Sequence, residues 1–313
     1  MSKLNGVKFL PYQLKRCTNR NVAAKSSIYG EPSVWLKSSE QLQTSYRGIT
    51  FDFFIDWSKE EFSKEIWVKL LVNSESIQLL FSSSEEEIKE WIRGIQPLID
   101  ICKFVNKNNL SAKFLFIDPE NDYDDEMEVI TFHFCSLCHV RVEKLKINQI
   151  KNSIQHWSGG PVGIGRKGLY FADSLLECSL SSTSSLWPGD ADLLLVSKNE
   201  YTASLLIELK KHNKDTPLSE QRLENYYPNP DARKYNRLGI LANYFDVPFL
   251  NVYWSTNYQE TKVKLELLKF SNGEVSAINN KLIDVPKSES EYNDFYSEVM
   301  GFVQKESNDE NSI

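Results

Sequence analysis

No run in this chain is long and apolar enough to span a bilayer, and its polar start lacks the apolar core of a signal peptide, so a soluble, cytoplasmic protein is expected. Histidine is scarce. The four present lack the Asn or Asp context of a His-based nuclease motif, which leaves little for a His-driven cleavage scheme. The five cysteines are an odd number with no framework spacing, and Cys17, Cys102 and Cys178 are expected to be reduced thiols. A net charge of −7 excludes a generally basic nucleic-acid coat while leaving room for a local basic groove.

Several motif spellings lack the context their chemistry needs. Cys135-Ser136-Leu137-Cys138-His139 matches haem attachment, but the Ile130, Phe132, Phe134 alternation before it reads as strand, and attachment would require export. Zinc could recruit His133 and His139, yet all these ligands crowd into one extended run with no second pair. Gly163-Ile164-Gly165-Arg166-Lys167-Gly168 spells the dinucleotide fingerprint, but it follows an expected helix, Ile147 to Trp157, where a strand is required. It reads better as an interdomain hinge, with Arg166 and Lys167 as phosphate contacts. The acidic run Asp118 to Glu128 lacks the spacing and glycine of a Ca2+ loop and reads as a solvated loop.

What the chain does hold is a charged hairpin. Trp187-Pro188-Gly189-Asp190-Ala191-Asp192 leads into an apolar run to Val196, a polar turn follows around Lys198-Asn199-Glu200, and a second apolar run spans Ala203 to Leu209. Side chains alternate along a strand, so Glu208 and Lys210 share one face while Leu205, Ile207 and Leu209 take the other. A loop centred near Glu200 brings Asp192 opposite Glu208. Two carboxylates and an ammonium at one strand end invite a hard divalent cation, and placing them on an apolar strand without a purpose costs free energy.

Asp192 with Glu208-Leu209-Lys210 resembles the PD-(D/E)XK nuclease superfamily over about residues 165 to 270. The resemblance implies a restriction-endonuclease-like mixed sheet flanked by helices. It also implies Mg2+, with Mn2+ able to substitute, held by Asp192 and Glu208, and Lys210 orienting the attacking water or offsetting developing charge. Asp190 is the alternative first acid. Gly189 stands where the family name has its Pro-Asp pair. Glu177, on a helix expected over Gly168 to Leu180, matches a further ligand seen in several branches, with Asp173 as a rival; the first core strand is not found in the Ser-rich stretch from Ser179 to Ser185.

Around this centre, Asp231 to Phe245 has helical spacing, with Arg233 and Arg237 one turn apart and Lys234 beside them as a basic stripe for a phosphate backbone. The long connection before it adds Lys211 and Lys214 as phosphate contacts. Its Tyr226 and Tyr227 are candidates either for base stacking or for packing beneath the loop. Strands follow at Val247 to Trp254 and Val263 to Phe270, and a last helix at Ser288 to Gln304.

The fold expected is therefore α/β: an N-terminal α/β domain over 1–157 for recognition, dimerisation or partner binding, a nuclease domain over 158–304, and a disordered tail over 305–313. In the first domain, strands are expected at Ile49 to Ile55, Trp67 to Val72, Ile77 to Phe81, Lys113 to Ile117 and Val129 to Phe134, with one helix from Ile88 to Ile99. The functional expectation is a Mg2+-dependent nuclease, DNA favoured over RNA, without membrane association and acting as a homodimer by family resemblance. A non-catalytic nucleic-acid or protein binding module on the same fold is the alternative.

Overall fold

The structure is a computed structural model that describes residues 3–11, 15–17, 27, 29–135, 139–163, 169, 171–213, 216–229 and 231–310. In chain order its elements are β1 (Lys15–Arg16), α1 (Pro32–Ser38), α2 (Glu40–Ser45), β2 (Tyr46–Asp56), β3 (Glu61–Leu71), α3 (Ser74–Phe81), α4 (Glu85–Ile92), α5 (Gln96–Lys107), β4 (Ser111–Ile117), β5 (Glu128–Cys135) and β6 (His139–Lys146). Then come α6 (Ile147–Trp157), β7 (Phe171–Ala172), α7 (Leu175–Leu180), β8 (Gly189–Ser197), β9 (Ala203–His212), α8 (Ala232–Phe245), β10 (Phe249–Ser255), β11 (Lys262–Ser271), β12 (Glu274–Asp284) and α9 (Tyr292–Glu310). The class is mixed α/β. Among the described residues no helix is long and apolar enough to cross a membrane.

Two compact units divide the chain, neither along the expected boundary at 157. The first holds residues 1–22 and 51–190, the second 23–50 and 191–313. In the first unit β2 and β3 form an antiparallel hairpin, and the crossover through α3, α4 and α5 returns β4 parallel to β3. Strands β5 and β6 then add antiparallel, and α6 follows. One sheet face packs on α6 and α7 through Phe54, Trp67, Leu71, Leu115 and Ile117. Crossover helices cover the other, where Phe51 meets Phe104 of α5 and Phe116 meets Trp91 of α4.

The second unit follows the same order. Hairpin β8–β9 is antiparallel, α8 crosses over, β10 lies parallel to β9, β11 and β12 add antiparallel, and α9 closes. Leu193, Leu195, Leu205, Ile207, Leu250 and Val252 form one face with Trp35 and Leu36 of α1, Leu42 of α2, and Phe295 and Val299 of α9. Helix α8 covers the opposite face. Its Gly239 backs onto Phe270 so closely that a Cβ would lie 2.5 Å from the ring.

Within this unit the opening residues of β2 run beside β8: Thr50 Oγ1 donates to the Asp192 carbonyl at 2.9 Å, and Lys198 N–H donates to the Ser45 carbonyl at 3.0 Å. The neighbour of β8 on this side thus comes from far upstream in the chain, preceded by helices α1 and α2. Alternation of apolar residues reveals a strand but not its sequence-distant neighbour.

Three further expectations differ from the structure. Ile77 to Phe81 belongs to α3, whose Asn73 cap accepts the Ser76 N–H, so a short apolar run was helix where strand was expected. The helix expected over Ile88 to Ile99 is two, because Pro97 starts α5. And α9 continues to Glu310, past the expected end at 304, while 311–313 of the expected tail lie outside the described residues.

Candidate active site in the second unit

The register Leu193↔Ile207 puts Asp192 and Glu208 at facing positions as the hairpin opens, and the Asp192 carboxylate accepts the Leu209 N–H at 2.8 Å. Glu208 is wholly buried on the α8 face, beside Asn251 in the parallel register of β10. Its Oε1 lies 2.8 Å from Lys234 Nζ and 3.9 Å from Lys210 Nζ. Neither carboxylate oxygen has a hydrogen bond of good geometry. That is an expensive state for a buried acid.

Lys210 is held from α8. Its Nζ donates to Asp231 Oδ2 at 2.6 Å and lies 4.5 Å from the Tyr226 ring centre and 5.3 Å from that of Tyr235. Aromatic faces favour a cation, so the ammonium has one carboxylate and two rings fixing it. Asp231 and Lys234 together make a crossed set with Lys210 and Glu208. From α1, Lys37 donates to Thr50 Oγ1 at 3.2 Å and feels the Asp192 charge.

A buried polar network lies alongside. Asn251 donates to the hydroxyls of Tyr235 and Tyr253 at 3.1 and 3.0 Å, and Tyr253 donates to Glu266 at 2.6 Å. Burial pushes the Glu266 carboxyl up, and the Tyr253 hydrogen bond and Lys264 oppose it. Tyr226 donates to Gln221 at 2.8 Å. With its ring stacked on Tyr253 at 6.1 Å and capped by Lys210, Tyr226 packs beneath the loop, and Tyr227 packs on Tyr235 in the same way.

Several expected site residues have other work. Glu177 and Asp190 fall in the first unit, whereas Asp192 and Glu208 fall in the second. Glu177 is buried in the capping box of α7: Oε2 accepts the Asp173 and Ser174 N–H groups at 2.7 and 3.0 Å, and Oε1 pairs with Lys69 at 2.6 Å. Lys69 also meets Asp173 at 2.5 Å and Asp52 at 3.4 Å. A Glu three residues after a Ser is the capping-box signature, and that signal was legible in the sequence. Asp190 is exposed, and its charge acts on Asp52. Lys211 points away from Lys210, over the Trp254 ring at 5.0 Å and 3.7 Å from Glu31.

Lys234 leaves the basic stripe for Glu208, while Arg233 is exposed and Arg237 half-buried on α8. Arg166, Lys167 and Lys214 lie outside the described residues, as does most of the expected glycine hinge. Cys17 and Cys178 form a disulfide, which corrects the expectation of reduced thiols; Cys102 is free. Asp118 is not solvated either, being buried with Tyr123 donating to its carbonyl at 2.9 Å.

A hard divalent cation fits the Asp192 and Glu208 pair on donor chemistry, since both are carboxylates at facing positions and Glu208 Oε2 is buried without a hydrogen bond, Lys234 meeting only Oε1 at 2.8 Å. Among the described residues no group of three or more Asp, Glu, His or Cys side chains gathers as a cation site. The fit is therefore to an ion such as Mg2+, which is commonly held by one or two carboxylates plus waters and substrate phosphate. Comparison with protein-family models, with curated proteins and with solved structures finds no match.

Proposed function

We propose that the protein is a Mg2+-dependent phosphodiesterase of the PD-(D/E)XK type acting on nucleic acid, DNA before RNA, with its centre at Asp192, Glu208 and Lys210 in a restriction-endonuclease-like second unit. One observation carries the reading. The first unit builds the same hairpin and crossover with Phe51, Phe53, Ile66, Val68 and Leu70 on the face that holds Asp192, Glu208 and Lys210 in the second. The plan folds without charge there, so packing does not require the acids and the lysine.

Bound Mg2+ would polarise a phosphoryl oxygen and lower the pKa of a water. The chain's own part is positioning. Asp192 is fixed by the Leu209 N–H, and Glu208 by its strand and Lys234. Lys210, held by Asp231 against two tyrosine rings, places a cation at the strand end, where negative charge grows in the transition state. The exposed Arg233 on α8 is a candidate phosphate contact.

The test is incubation of the purified chain with labelled single- and double-stranded DNA and RNA in Mg2+, Mn2+ or EDTA, beside Lys210→Ala. Metal-dependent cleavage should fall about 100-fold or more in the variant while the fold persists. Salt-sensitive binding by folded wild-type protein without cleavage of any substrate would instead favour a binding module.

A further inference from the structure

The hairpin, helical crossover, parallel strand, two antiparallel strands and closing helix occur twice in the chain, as β2–β3, α3–α5, β4, β5, β6, α6 and as β8–β9, α8, β10, β11, β12, α9. Even the added helix corresponds. In each unit the face opposite the crossover also receives the helix that precedes the other unit's hairpin, α7 in the first and α1 in the second. In each, a lysine from the second hairpin strand meets acid at or near that helix's start: Lys69 with Asp173 and Glu177, Lys211 with Glu31.

From this we infer that the chain is a tandem duplication of one α/β plan carrying a single hydrolytic centre, so that one chain breaks one phosphodiester bond per engagement with duplex DNA and the first unit is a catalytically silent copy. The inference rests on the phosphodiesterase reading above. Its support is the difference between the copies. On the crossover face the first unit has aromatic and aliphatic side chains where the second has two acids and a lysine.

The first unit's own buried acids, from its hairpin and the start of α7, sit on the other face, where Glu65 Oε1 accepts the Trp67 Nε1–H at 2.8 Å and the remaining three share one lysine; Asp52 Oδ2 and Glu65 Oε2 have no hydrogen bond of good geometry. The Asp52, Asp173 and Glu177 side chains are 3 to 6% exposed and all turn to Lys69, and both Glu177 oxygens are already taken. That group fastens α7 to the hairpin, the task that Lys211 and Glu31 perform for α1.

Two measurements on the full chain test this. Calorimetric titration with Mn2+ should give binding that Glu208→Gln weakens at least tenfold and Asp52→Asn leaves unchanged, with thermal melts confirming that both variants fold. On supercoiled plasmid, nicked circles should accumulate first, and linear DNA should appear only from a second, independent event. Mn2+ binding that survives Glu208→Gln but is lost in Asp52→Asn would put the centre in the first unit and overturn the inference. Linear product from a monomeric chain without a nicked intermediate would overturn it equally. If Mn2+ binds with the expected variant pattern but plasmid stays intact, the single centre stands and duplex DNA is rejected as substrate. Wild-type protein showing neither Mn2+ binding nor cleavage of any nucleic acid overturns the functional reading and this inference together.

Discussion

Replacing Glu208 and Lys210 together by methionine should stabilise the second unit while abolishing the cleavage proposed for it. Glu208 is fully buried and Lys210 nearly so, and their ion pairs reach α8 residues that are only partly covered: Lys234 is 34% exposed at its side chain and Asp231 31%. After the double change, Asp231 and Lys234 stand three residues apart on α8 and can pair with each other at the surface, so neither is left as a buried, unpaired charge. Exchanging a buried ion pair for apolar side chains of similar volume is commonly neutral or stabilising by about 1–4 kcal/mol, and methionine is pliant enough to fill the space. Because two half-exposed partners remain, a gain of about 1–2 kcal/mol is expected. Glu208→Ala alone should go the other way by about 2–4 kcal/mol, since it leaves a cavity and leaves Lys234 without its acid. Urea unfolding gives the answer, as a higher midpoint at unchanged slope for the double variant. A loss of 2 kcal/mol or more in that variant would show that the charges hold the sheet together and would refute the argument from the first unit's apolar face.

Burial pushes the Asp52 carboxyl up to about 8, against the opposing pull of Lys69. A carboxyl whose folded value is raised holds its proton better in the native state, so its contribution is complete below pH 4 and is lost as pH rises from about 4 to about 8; melts across that window should flatten in Asp52→Asn. The Cys17–Cys178 disulfide closes a loop of sequence separation 161, so reduction should cost the first unit about 2–5 kcal/mol, seen as a lower melting temperature with dithiothreitol and none in Cys17→Ser. Gly239→Ala should destabilise by about 1–3 kcal/mol in the same denaturation assay, because its Cβ would fall 2.5 Å from the Phe270 ring and α8 must move off β11.

Local patterns were legible where the whole cause was local. The β8–β9 hairpin, α6, α8, β10 and β11 follow from alternation, helical spacing and turn residues, and they stand within a few residues of expectation. What escaped was long-range. Strand β12 is an edge strand exposed along most of its length, so it has no apolar stripe to betray it. Helices α1 and α2 bury only Trp35, Leu36 and Leu42 among their large apolar residues, too few for a periodic signal, and what they bury against lies some 150 or more residues later in the chain.

The candidate site was legible as a face and illegible as a set. Strand alternation alone places Glu208 with Lys210 and sets Lys211 on the other side, and the pairing register then brings Asp192 to Glu208. Asp231 and Lys234 could have been found from the same reasoning, since the first turn of the crossover helix must return over the strand it left. Glu177 was misassigned because its neighbours in sequence are not its neighbours in space: an acid three residues after Ser174 caps its own helix first, and Lys69, more than a hundred residues upstream, takes the oxygen that remains. The same reasoning separates the two charged groups of this chain by purpose. Around Lys69 the acids Asp52, Asp173 and Glu177 gather on one lysine and fasten α7 to the hairpin. Around Lys210 a wholly buried carboxylate, met at 2.8 Å by Lys234, lies on the crossover face that the first unit fills with Phe51, Phe53, Ile66 and Val68, so the charges there answer no demand of packing.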